Sequence, residues 1–140
     1  MMQAPAPTKQ RGKTGAWSWL APALRAVVGL QAALVFAQAI LAGQFLSGNA
    51  GALSLHEMNG TEIITLVVLL QLVLAILVWR PGRGPIWPAA LSAVLVPAVI
   101  FPLEFGFQGR LAFHIPLGVA IFGAVLFMLV VTRKIATGRV

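Results

Sequence analysis

Cysteine is absent from the 140 residues. That removes a disulfide framework, a cysteine zinc ribbon, an iron–sulfur cluster and thiol catalysis. It also removes the C-x-x-C-H attachment of covalently bound haem. Charge is nearly as scarce: charged residues make up 9% of the chain and hydrophobic residues 59%. A soluble domain is about 25% charged and about 45–50% apolar. The chain lacks the polar surface of a soluble enzyme, a disordered tail or a coiled coil. Its surplus apolar surface must face lipid.

Mean hydropathy is +0.93, and a bilayer-crossing helix needs about 20 apolar residues. Four segments satisfy that length: about Leu20–Leu46, Leu55–Trp79, Ile86–Phe105 and Leu111–Thr132. In the second, thirteen of the seventeen residues from Ile63 to Trp79 are Ile, Leu or Val. At about −0.3 to −0.6 kcal/mol each, they supply roughly −4 to −8 kcal/mol of insertion free energy. The short connections at 80–85 and 106–110 set sequential helices side by side. The expected fold is all-α: an integral-membrane four-helix bundle, up-down-up-down. Residues 1–16 read as a flexible basic arm and 17–140 as the transmembrane domain. The first helix has a signal-peptide look, ending in Ala37-Gln38-Ala39. Its apolar run exceeds a signal peptide's, so it reads as a retained helix.

The net charge of +7 would suggest nucleic acid in a soluble protein. Here the basic residues are distributed as anchors, and no nucleic-acid partner is expected. Lys9, Arg11, Lys13, Arg25, Arg80, Arg83, Arg133, Lys134 and Arg139 fall on one side, and Arg110 alone falls on the other. The positive-inside rule makes the first side cytoplasmic, with both termini inside. Trp17, Trp19, Trp79 and Trp87 mark the same interface. Glu57, Glu62, Glu104, His56 and His114 lie toward the outside. The expected location is the cell membrane, multi-pass, in a bacterial plasma membrane.

The two histidines of the chain share a pattern. Leu55-His56-Glu57-Met58-Asn59-Gly60 opens helix 2 and Phe113-His114-Ile115-Pro116-Leu117-Gly118 opens helix 4; each is apolar-His-x-x-x-Gly. Residues four apart share a helical face, so Gly60 and Gly118 remove the Cβ one turn below each imidazole. That space would admit a flat macrocycle; the alternative is that both glycines let helices approach. Helices 2 and 4 are diagonal in an up-down bundle, with axes roughly 11–14 Å apart for neighbours at 8–10 Å. At 1.5 Å per residue, His56 is about 36 Å from Arg80 and His114 about 29 Å from Arg133, an offset of about 7 Å.

Two histidines are too few for a closed zinc site, and copper would usually add Cys or Met. Two axial nitrogens do complete a six-coordinate b-type haem, so His56 and His114 are the candidate iron ligands, with Gly60 and Gly118 lining the cofactor. Arg110, four residues before His114, is the candidate partner of a haem propionate, or an interfacial arginine paired with Glu104. Gln44, Asn49, Asn59 and Gln108 are further polar candidates at that level. Ser54-x-x-Glu57 reads as a capping box at the start of helix 2. Gln31, Gln38 and Gln71 are expected to hydrogen-bond between helices. Pro88, Pro97 and Pro102 are expected to make helix 3 irregular. Pro116, in a first turn, would put His114 at a cap.

Phe45-Leu46-Ser47-Gly48 followed by Leu55-His56-Glu57-Met58-Asn59-Gly60 resembles an actinobacterial family of small four-helix membrane proteins of unknown function. That family repeats Leu-His-x-x-Asn-Gly at helices 2 and 4; here Leu117 stands where the second Asn would be. The layout is also similar to one four-helix half of haem A synthase. There, histidines on the second and fourth helices bind haem, and the resemblance implies that role for His56 and His114.

No catalytic constellation is present. The leading expectation is a small b-type haem protein that transfers electrons near the outer face, alone or as a subunit of a membrane complex or homo-oligomer. A quinone or an external redox protein would be its partner. The alternative is a cofactor-free accessory subunit; a transporter fits poorly, with no charge at mid-membrane. The charge asymmetry makes one prediction: a reporter fused at Arg139 will be cytoplasmic. An external reporter there would reverse the orientation and move both histidines inside.

Overall fold

The computed structural model describes residues 18–136. The basic arm at 1–16, Trp17 and Arg139 lie outside them. Four helices follow in order: α1 (Leu20–Leu46), α2 (Gly51–Trp79), α3 (Trp87–Phe107) and α4 (Leu111–Ala136). Each of the four is long and apolar enough to span a membrane. α1 lies against α2 and α4, and α3 against the same two. The diagonal pairs α1–α3 and α2–α4 make no close backbone contact. The result is a four-helix bundle.

The buried face of α1 runs Leu20, Leu24, Val28, Ala32, Val35, a spacing of four and three. It meets Ile64, Val68, Ala75 and Val78 of α2, Leu95 and Val99 of α3, and Val125 and Met128 of α4 in one core. The opposite faces are equally apolar. Phe36, Leu66, Phe101, Val119 and Val130 are all more than half exposed. A helix apolar all round belongs in lipid.

Helix ends follow from two glycines. After α1, Gly48 takes φ +97° and the Asn49 N–H reaches back to the Gln44 carbonyl at 3.0 Å. After α3, Gly109 takes φ +67° and the Arg110 N–H reaches the Phe105 carbonyl at 2.8 Å. Both satisfy carbonyls that a bare helix end would leave open.

Several expectations are corrected. α2 begins at Gly51, not near Leu55, so Ser54 is already inside the helix. Its hydroxyl donates to the Gly51 carbonyl at 3.0 Å and no capping box forms. α3 is continuous across Pro97 and Pro102, because neighbouring helices tolerate the lost N–H groups in a membrane. α4 begins at Leu111, which puts His114 within its first turn and Pro116 beyond it.

One local irregularity was not anticipated. Residues Asn59–Ile64 of α2 form a π-helical turn. His56, Gly60, Ile64 and Val68 are spaced by four, and all turn inward to some degree. At about 100° per residue, a regular α-helix would rotate Val68 about 120° past His56. The wider π turn takes up much of that rotation and keeps the histidine on the core face.

The glutamines divide. The Gln71 Nε2 donates to Ser92 Oγ at 3.2 Å and to Met128 Sδ at 3.3 Å, while its Oε1 has no partner. Gln38 accepts from Asn59 Nδ2 at 3.0 Å. Gln31 is fully buried with neither amide atom bonded, so the expected interhelical bond is not made. An unpartnered buried amide costs about 1–3 kcal/mol. Gln31→Leu is therefore expected to raise the thermal unfolding temperature in detergent and Gln71→Leu to lower it. A fall for Gln31→Leu would show that its amide is satisfied.

Candidate functional site

The diagonal helices bring their histidines together. The rings of His56 and His114 have centroids 6.0 Å apart and planes inclined by 60°. The offset of about 7 Å expected from sequence came from counting to Arg133. The rings meet despite that offset.

Each ring is held by a neighbouring helix. His56 Nδ1 donates to the Gln38 carbonyl of α1 at 3.1 Å. His114 Nδ1 donates to the Pro102 carbonyl of α3 at 2.8 Å. A carbonyl oxygen can only accept, so Nδ1 carries the proton in both rings. In the neutral imidazole Nε2 is then a free lone pair. Fixing one ring nitrogen on a carbonyl so that the other can bind is how ligand histidines are oriented at metal centres.

The two motif glycines do different work. A Cβ at Gly60 would stand 2.6 Å from Gln38 Nε2, so the notch below His56 admits the Gln38 side chain. Asn59 supports the same contact: its Nδ2 donates to Gln38 Oε1 and to the Leu34 carbonyl, each at 3.0 Å. A Cβ at Gly118 would meet nothing within 4 Å, and Gly118 borders open cavity space.

Two cavities flank the histidine pair, of about 330 and about 410 Å³. Both are bordered by His56, His114, Gln38, Gly60 and Leu103. The first extends inward to Val35, Ile64 and Val99 and is almost wholly apolar. The second extends outward to Phe45, Leu53 and Phe107, and carries Glu57 and Thr61. Their sizes fall within the range of about 300–1,000 Å³ typical of ligand sites.

The remaining candidates scatter. Arg110 is exposed and borders neither cavity, although its neighbour Gly109 borders the outer one. Glu104 accepts from Gln108 Nε2, and among the described residues it forms no ion pair with Arg110. Among the described residues no cluster of three or more His, Cys, Asp or Glu could hold a metal ion.

Gly106 was missed. A Cβ there would stand 3.1 Å from His114 Cε1 and Nδ1, so its absence seats the ring. The available signal was Pro102-x-x-x-Gly106, which sets the accepting carbonyl and the glycine one turn apart on α3. No protein-family model, curated protein or solved structure matches the chain.

The geometry predicts the tautomers. With no cofactor bound and both imidazoles neutral, 15N-histidine NMR will show Nδ1–H and bare Nε2 at both positions. Gly106→Leu will displace the His114 signals and leave those of His56. An Nε2–H tautomer at either position in the unaltered protein would contradict the two carbonyl contacts.

Proposed function

We propose that this chain is a small b-type haem membrane protein in which His56 and His114 are the axial ligands of one haem. It would transfer electrons near the outer face of a bacterial plasma membrane, alone or as a subunit of a larger complex. One observation carries the reading. Two imidazoles that were to hold one metal ion would each need a bond of about 2.0–2.1 Å to it, so their rings would have to stand close together. The histidine rings stand 6.0 Å apart.

Further support is chemical. Both rings direct Nδ1–H at a backbone carbonyl, which leaves Nε2 for a metal. Apolar cavities lie on either side of the pair. When bound, a bis-imidazole haem supplies one-electron transfer, since no open position remains on the iron for oxygen chemistry. The chain's own residues orient the imidazoles, line the inner cavity with apolar side chains and, at Gly118, leave space beside the ligand helix. Arg110 remains the proposed cation for a propionate, next to Gly109 at the outer rim.

The same reading includes the up-down-up-down arrangement with cytoplasmic termini. It is supported by the short connections, by the contact of each helix with its sequence neighbours and by the basic residues at one end. A cofactor-free accessory subunit is the second reading. Gln38 favours it by filling the notch at Gly60, and Glu57 favours it as the one charged group bordering the outer cavity.

Purified protein expressed with ample haem is expected to show a low-spin, six-coordinate Soret spectrum. His56→Ala and His114→Ala should each abolish it. No Soret band in the unaltered protein, or an unchanged spectrum in either variant, selects the accessory reading. The glycines give a finer test. Gly118→Leu should expel haem while the bundle stays folded, whereas Gly60→Leu should weaken the α1–α2 contact with or without haem. Full haem content in both variants would count against the site.

A further inference from the structure

The other end of the bundle carries a second site, independent of the histidines. Residues 80–86 connect α2 to α3, and Trp79 to Gly84, with Ser18, line an open surface cavity of about 880 Å³. Arg80 and Arg83 both border it.

The loop has a fixed shape. The Gly82 N–H donates to the Leu77 carbonyl at 2.9 Å, and the Gly84 N–H to the Val78 carbonyl at 2.7 Å. Both glycines are obligatory: a Cβ would stand 2.6 Å from the Val78 oxygen at Gly82 and 2.8 Å from it at Gly84. Between them, Arg83 is held at φ +59°, a conformation L-residues rarely adopt. Among the described residues, the Arg83 N–H and guanidinium make no hydrogen bond or ion pair. The Arg80 guanidinium lies over the Trp79 ring at 5.4 Å and likewise meets no carboxylate.

Among the described residues, no acidic side chain lies near these two arginines. The three acidic side chains of the chain are Glu57, Glu62 and Glu104. Even Glu62 lies eighteen residues before Arg80 on α2, about 27 Å away along the helix. Tryptophans at 79 and 87 bracket the loop, as they do where helices leave the hydrocarbon for the headgroup layer. Two guanidiniums, a free backbone N–H and the Ser18 hydroxyl are all donors, a set that suits phosphate oxygens. Basic pockets beside membrane helices take anionic headgroups.

The geometry points to this cavity as a binding site for the phosphate of an anionic phospholipid in the adjacent leaflet, held by Arg80, Arg83 and the Arg83 N–H. Arginine in place of lysine favours bidentate contact with phosphate, and the strained loop presents it without first having to order.

Native mass spectrometry of the full chain in detergent, with equimolar phosphatidylglycerol and phosphatidylcholine, tests this. The unaltered protein should retain phosphatidylglycerol preferentially. The double variant Arg80→Gln with Arg83→Gln should lose about thirty-fold of that preference. Arg25→Gln with Arg133→Gln, which removes equal charge from the same end of the bundle, should keep it. Gly82→Ala, which alters shape without charge, should also reduce it, with circular dichroism verifying helical content. Equal retention of the two lipids by the unaltered protein overturns the proposal. So does an equal loss in the charge-matched control, which would mean diffuse attraction. Displacement of the lipid by millimolar inorganic phosphate would assign the cavity to a soluble anion instead.

Discussion

In hydrocarbon, a polar group has no solvent to fall back on, and whatever it bonds must come from the chain itself. That constraint organises the half of this bundle that carries the histidines. His56 reaches the Gln38 carbonyl on α1, and Asn59, one turn on, reaches the Leu34 carbonyl and the Gln38 amide. His114 reaches the Pro102 carbonyl on α3. Each diagonal helix is thus bonded to a different neighbour by its histidine. The rings are aimed by backbone acceptors, which cannot rotate away as side chains can.

The π turn and the glycines serve the same arrangement. The wide turn at Asn59–Ile64 keeps His56 on the inward face while the helix beyond it buries Val68 and Gln71. Gly60 lets α1 close on α2 through Gln38, and Gly106 lets the His114 ring lie against α3. Gly118 faces space, so of these three glycines it is the one where an added side chain meets no neighbour. A π turn next to a candidate ligand is the kind of local irregularity that recurs at functional sites.

The four helices could be read from the sequence because hydropathy over twenty residues is a strong, local signal; α1 falls on the expected residues, Leu20–Leu46. The histidines stood out because the chain has two and both precede glycine by four. What holds them could not be read. A backbone carbonyl leaves little mark in the sequence: Pro102 is hinted at only by its spacing from Gly106, and nothing marks Gln38 as an acceptor. Gln31 and Gln71 look alike as sequence, yet one finds Ser92 and Met128 and the other finds nothing. That difference depends on which side chains the neighbouring helices present at the same depth. The capping box failed for a related reason: Gly51 and Ala52 extended α2 a turn earlier, and Ser54 bonded back to Gly51.

The central claim is that both histidines serve one haem. Titration of the haem-free protein with haemin, followed by electron paramagnetic resonance of the ferric form, tests it directly. One shared haem predicts saturation at one equivalent per chain, with a low-spin signal throughout. Saturation at two equivalents, or a high-spin signal at one, would mean that the two rings 6.0 Å apart do not grip the same iron.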